Sequence, residues 1–402
     1  MASKSKSKAR PTRIESDPTH HLTGPFLPQT PLESRSNSPV SFRKPSPTPA
    51  IPISPWLRWA VQPLSAFKLL LLPLILYANW ELLSPYVAPA IPNPFAPFFL
   101  ISGRVESSTD DDPRYQKSYA DLLFLAYNIV FFSCVRQLIT INACRPVARY
   151  FGLKKEAKLD RFGEQGYALV YFSILGACGY RVMSLLPTYW YRTETFWIDY
   201  PHWDMIPELK RYYLMQMAYW CQQLIVLVLG LEKPRKDFKE LVAHHLVTLW
   251  LVGWSYMLNL TYIGTAVYMS MDIPDAFLAF SKLLNYMQWE KSKTVAFVIF
   301  ISVWSYFRHY LNLKILWSVW FEIDAAPAAS RIWDGVTGAY LPGWMTLQIF
   351  LPLFLLQLLN LFWYSLMLRI LYRSVKTSTI DDDRSDDEDD EPNGDVKDIK
   401  QE

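Results

Sequence analysis

The sequence predicts an all-α polytopic membrane protein with about eight transmembrane helices. Three observations predict it. The chain is 51% hydrophobic and only 19% charged, too apolar for a soluble protein whose surface must be covered with charge. Apolar runs of roughly 20 residues, the length that crosses a bilayer as a helix, recur along it. Between them the charges are clumped, and Lys and Arg gather in alternate loops.

Taken in order, residues 1–55 are rich in Ser, Pro, Thr, Lys and Arg. Such a segment buries too little apolar surface to offset its ordering entropy, so a disordered tail is expected. Apolar runs follow at 66–84, 121–142, 166–186, 213–231, 241–261, 263–286, 294–318 and 344–371. Lys68 and Glu81 frame the first, which is the weakest. Basic residues fill 143–161, 232–239 and 287–293. The positive-inside rule makes these loops cytosolic, and both termini with them. The first apolar run begins too far into the chain for a signal peptide. The four cysteines lie in or beside spans without a CxxC pair. They read as small hydrophobes, and no metal site is expected. The tail 376–402 carries nine acidic residues between Asp381 and Glu391. Ser385 within it is a candidate for acidic-directed phosphorylation.

Two spans carry the chemistry. His244 and His245 stand side by side in VAHHLVTLWLVGWSYMLNL. Ionisable groups inside a span are expensive and usually line a cavity or react. On a continuous helix His244, His245, Thr248, Ser255, Tyr256 and Asn259 share an arc of about 120°. In the next span Tyr268, Asp272, Asp275, Lys282 and Tyr286 share an arc of about 80°, with Pro274 between the carboxylates. A His pair facing an Asp pair suggests acid–base or acyl-transfer chemistry on a lipid. Interhelical hydrogen-bond glue needs one or two Ser or Thr contacts, not this set. Arg308, inside the seventh span, is a candidate for supporting the site.

Residues 244–286 resemble the longevity-assurance motif of ceramide synthases. The matching positions are His244, His245, Thr248, Ser255, Tyr256, Asn259, Gly264, Asp272, Asp275, Leu278, Lys282 and Tyr286. The segment 230–238 is similar to the family's linker before the His pair, and Trp197–His202 to its lumenal loop. Ile273-Pro274 and Met271 resemble the fungal type. The resemblance covers roughly 160–375 and implies a six-helix TLC bundle enclosing a polar, lipid-holding cavity. Residues 56–159 then form two additional N-terminal helices with a lumenal loop and a basic cytosolic linker.

The resemblance implies N-acylation of a sphingoid long-chain base by fatty acyl-CoA in the endoplasmic reticulum membrane, giving ceramide and CoA. Acyl-CoA is a co-substrate, and no cofactor, metal or nucleic acid is implied. His244, His245, Asp272 and Asp275 are the expected catalytic residues, with histidine as general base or as an acylated nucleophile. Thr248, Ser255, Tyr256, Asn259, Lys282, Tyr286 and Arg308 are expected to bind substrate or support the site. Arg235 and Lys236 are candidate contacts for CoA phosphates. The implied partners are membrane lipids, a small single-span regulatory subunit and a second synthase chain. The alternatives are a non-enzymatic TLC-domain protein that senses lipids or assists translocation, and a lipid O-acyltransferase. A binder needs neither pair, and an O-acyltransferase needs only one histidine.

Overall fold

A computed structural model describes residues 54–231 and 237–377 of the chain. The expected disordered N-terminal tail, Arg235, Lys236, Ser385 and the acidic segment around it lie outside the described residues.

The architecture is helical: α1 (Pro63–Val87), α2 (Asp121–Ile139), α3 (Arg145–Tyr150), α4 (Glu156–Leu185), α5 (Pro207–Val228), α6 (Phe238–Met257), α7 (Thr261–Tyr286), α8 (Glu290–Trp304), α9 (Asn312–Phe321) and α10 (Met345–Thr377). Proline stands in the first turn of α1 and α5, where its missing N–H costs nothing. Two pairs of helices are joined through π-helical turns: Thr140–Cys144 links α2 to α3, and Ser305–Leu311 links α8 to α9. A short hairpin, β1 (Trp333–Asp334) against β2 (Ala339–Tyr340), precedes α10.

Five stretches are long and apolar enough to cross a membrane: Pro63–Val87, Asp121–Tyr150, Glu156–Leu185, Glu290–Phe321 and Met345–Ser374. The other three long helices are α5, α6 and α7. Their polar content, from Lys210, Gln216 and Gln222 through the His pair to Asp272 and Asp275, is what dilutes their hydropathy.

Packing gives the site its walls. Each of α4, α7, α8–α9, α10, α6 and α5 packs on the next, and α5 returns to α4. The α2 helix packs outside α5, and α1 outside α2. Much of α1 is unburied: Leu64, Phe67, Leu72, Leu82 and Leu83 are all exposed. In water that surface would be costly, and in hydrocarbon it is at home.

At one end the loops are knitted together. Tyr200 Oη donates to the Leu258 carbonyl at 2.6 Å, and Asn259 Nδ2 to that of Gly338 at 2.9 Å. The fully buried Lys210 pairs with Asp121 at 2.8 Å and donates to the carbonyls of Ser102 and Gln116. Every ammonium donor is thus satisfied, the condition for burying that charge. The sequence reading carried one helix through Asn259, whereas α6 ends at Met257. Asn259 has φ of 60°, a left-handed conformation that Asn tolerates and that reverses the chain into α7.

Candidate active site

The α6 helix places His244 and His245 two turns from its start, where both are buried. Their rings lie 5.7 Å apart, nearly perpendicular. Trp220 of α5 packs against both, at 5.7 and 5.9 Å, and Trp363 of α10 meets His244 at 5.5 Å. The Trp363 indole N–H donates to Asp237 Oδ2 at 2.9 Å, which holds this wall in place. His245 Nδ1 lies 2.8 Å from the Leu241 carbonyl. A carbonyl only accepts, so Nδ1 carries the proton and Nε2 keeps the basic lone pair. His244 Nδ1 is buried with no hydrogen-bond partner among the described residues.

Pro274 removes one amide donor from the middle of α7. Asp272 and Asp275 flank it. Asp275 Oδ1 pairs with Arg308 Nη2 at 2.7 Å. Arg308 projects from the π-helical turn, and such turns re-aim side chains where an α-helix cannot. Its guanidinium also donates to Asn360 Oδ1 at 3.1 Å and the Met271 carbonyl at 3.0 Å, and stacks 4.1 Å from the Trp304 ring. Asp272 is fully buried; its Oδ2 accepts from Gln216 Nε2, while Oδ1 has no partner among the described residues. Gln216 Oε1 in turn accepts from Tyr171 Oη at 2.8 Å.

A cavity of about 430 Å³ gathers His244, His245, Asp275, Lys282 and Arg308, with Trp220, Trp304 and Trp363 among its walls. His244 also opens onto a narrow, almost wholly apolar crevice of about 60 Å³ between α6, α7 and α10. Thr248 and Ser255 line that crevice with Leu251, Val267 and Leu353. One imidazole therefore stands where a polar chamber meets an apolar slot.

The remaining sequence candidates lie elsewhere. Asp272 is not on the cavity wall and reaches α5 through Gln216. Tyr256 Oη donates to Asp121 Oδ2 at 2.8 Å, tying α6 to α2. Ser255 also hydrogen-bonds the Tyr213 hydroxyl. Asn259 belongs to the loop layer, and Tyr286 packs beside Phe162 at the far end of α7. A shared arc fixes a helix face but not the depth along it, and these residues spread over the full length. Sequence reading missed Trp220, Trp363, Gln216 and Asn360. Gln357, Asn360 and Tyr364 do recur at helical spacing in an apolar run, and they meet His309, Arg308 and Ser305. That periodicity was a readable sign, whereas the tryptophans had none.

Comparison with known proteins accords with this geometry. A TLC-domain family model matches residues 161–369. The sphingosine N-acyltransferase lac1 of Schizosaccharomyces pombe is 42% identical over 279 residues, 69% of this chain and 72% of the relative. The ceramide synthase LAG1 of Saccharomyces cerevisiae is 39% identical over 74% of this chain and 71% of its own. The ceramide synthase 4 of Bos taurus is 34% identical over 56% of this chain and 54% of its own. The chain belongs to the TLC-domain family of sphingosine N-acyltransferases.

Proposed function

We propose that this protein is a fungal-type ceramide synthase, which acylates the amine of a sphingoid base with the acyl group of a fatty acyl-CoA. The observation that carries the reading is the buried His pair on the wall of a polar cavity, with His244 standing where that cavity meets an apolar crevice. An acyl thioester has one polar group on a long apolar chain, and the two spaces suit those two parts.

The ammonium of the sphingoid base first gives one proton to water and becomes nucleophilic. His245 Nε2, its lone pair set by the Leu241 contact, takes the second proton as nitrogen attacks the thioester carbonyl. The C–N bond forms, the C–S bond breaks, and the histidine returns its proton to the CoA thiolate. Asp275, held by Arg308, offers fixed charge to the imidazolium and the substrate head. Asp272, clamped by Gln216, braces α7 behind it.

All eight long helical stretches are proposed to cross the endoplasmic reticulum membrane, α5, α6 and α7 burying their polar faces against their neighbours. The ring from α4 to α10 is the six-helix bundle. Both termini face the cytosol, with Arg235 and Lys236 positioned in sequence to meet CoA phosphates just before the His pair. Ser385 tunes activity from outside the site, and a small single-span subunit or a second synthase chain covers part of the exposed apolar flank. The lipid-sensing alternative has no use for both ionisable pairs.

The test is conversion by the purified protein of a sphingoid base and acyl-CoA into ceramide and free CoA in equal amounts. Binding of both substrates without amide formation would favour a sensor instead.

A further inference from the structure

The cavity has two chemically different sides. Its cations, Lys282 and Arg308, stand on α7 and on the turn between α8 and α9. The opposite wall, made by α4 and α5, brings Glu164, Gln165 and Gln223 to the lining among Tyr167, Phe172 and Tyr219. Glu164 Oε2 accepts from Arg161 at 3.0 Å. Gln223 donates to Gln222 Oε1 at 3.2 Å. Gln165 is only 8% exposed and makes no side-chain hydrogen bond among the described residues. Its amide is open to the cavity, where a ligand can both donate to it and accept from it. The same lining runs on to Val228, which is 74% exposed at the end of α5.

We infer that Gln165 and Gln223 form the subsite that reads the hydroxyl groups of the lipid amine, which enters the cavity beside the exposed end of α5 at Val228. This rests on the acyltransferase reading above. Three features select this ligand over the other substrate. Glu164, held by Arg161, puts a carboxylate on this wall, which suits an ammonium better than CoA phosphates, while Lys282 and Arg308 share the opposite wall with Asp275. An amide both donates and accepts, which matches a hydroxyl. The aromatic lining suits a single hydrocarbon tail arriving from the bilayer. The number of hydroxyls is then read by groups that lose partners when one is absent, the arrangement that gives the steepest discrimination.

The experiment compares kcat/KM for dihydroxy and trihydroxy sphingoid bases, at one fixed acyl-CoA, in the full-length protein and its Gln165→Leu and Gln223→Leu variants. Gln165→Leu should lower kcat/KM for the trihydroxy base about tenfold more than for the dihydroxy base. The KM for acyl-CoA should stay unchanged, and Gln165→Glu should restore part of the discrimination. Gln223 is only half-buried, so its variant carries the same expectation should the Gln165 variant not accumulate. An equal loss with both bases, no loss with either, or a rise confined to the KM for acyl-CoA overturns the inference while leaving the enzyme reading intact. A parental protein that acylates neither base sinks the reading and the inference together.

Discussion

Asp275 and Asp272 lie one turn apart on α7 yet meet different environments. Asp275 reaches the cavity and pairs with Arg308 at 2.7 Å, whereas Asp272 is clamped by Gln216 off the cavity wall. If charge at Asp275 stabilises the transition state, Asp275→Asn should lower kcat about a hundredfold while expression and insertion hold. Asp272→Asn keeps size and the bond accepted from Gln216, so it should lower kcat far less than Asp275→Asn does. Initial rates at saturating acyl-CoA check both. Tyr256 provides the contrast. Its hydroxyl serves Asp121, not the histidines. Tyr256→Phe should therefore destabilise the protein by about 1 kcal/mol and leave kcat close to the parental value. A melting curve in detergent alongside an activity assay separates the two effects. The His and Asp pairs were legible in the sequence because ionisable side chains in an apolar run are conspicuous. What lies opposite each one was not legible, since it is set by other helices far away in the chain. Angles around α6 placed Tyr256 near His245, but nothing local told that Asp121 waits for it.

Helices α6, α7 and α10 define the crevice beside His244. The acyl chain is expected along this seam. Val267, part-buried on the crevice wall, is the place to narrow it. Val267→Phe should shorten the acyl chain of the product, as read by mass spectrometry of the ceramides formed. Exchange of residues 319–343 with those of a relative of different preference should shift the same profile from the far end. Helix existence was well written in the sequence, because 20-residue apolar runs have one structural outcome in hydrocarbon. The three polar helices fit that pattern less cleanly because they hold the site. The π-helical turn that aims Arg308 left no mark in the hydropathy. It follows from contacts with Met271, Asn360 and Asp275 that exist only once α7 and α10 are in place.

Across the whole chain, the loop layer joining residues 88–120, 186–206, 258–260 and 322–344 closes the end of the helices farther from the His pair. Reaction from the opposite end is the expected consequence, and that end carries the basic residues of 143–161 and 287–293, read as cytosolic. An impermeant acyl-CoA analogue should therefore inhibit from the cytosolic side of sealed vesicles. Deleting 377–402 should change the rate modestly and leave substrate preference intact, because a strongly acidic tail whose only aliphatic residues are Ile380, Val396 and Ile399 has little to dock into the cavity. The central claim is that the adjacent imidazoles perform the acyl transfer. The most direct measurement is ceramide formation from sphingoid base and acyl-CoA by parental protein and by His244→Ala and His245→Ala variants purified at equal abundance. The account predicts ceramide with an equal amount of released CoA from the parent and none above background from either variant. Parental rates from the His245→Ala protein would contradict it.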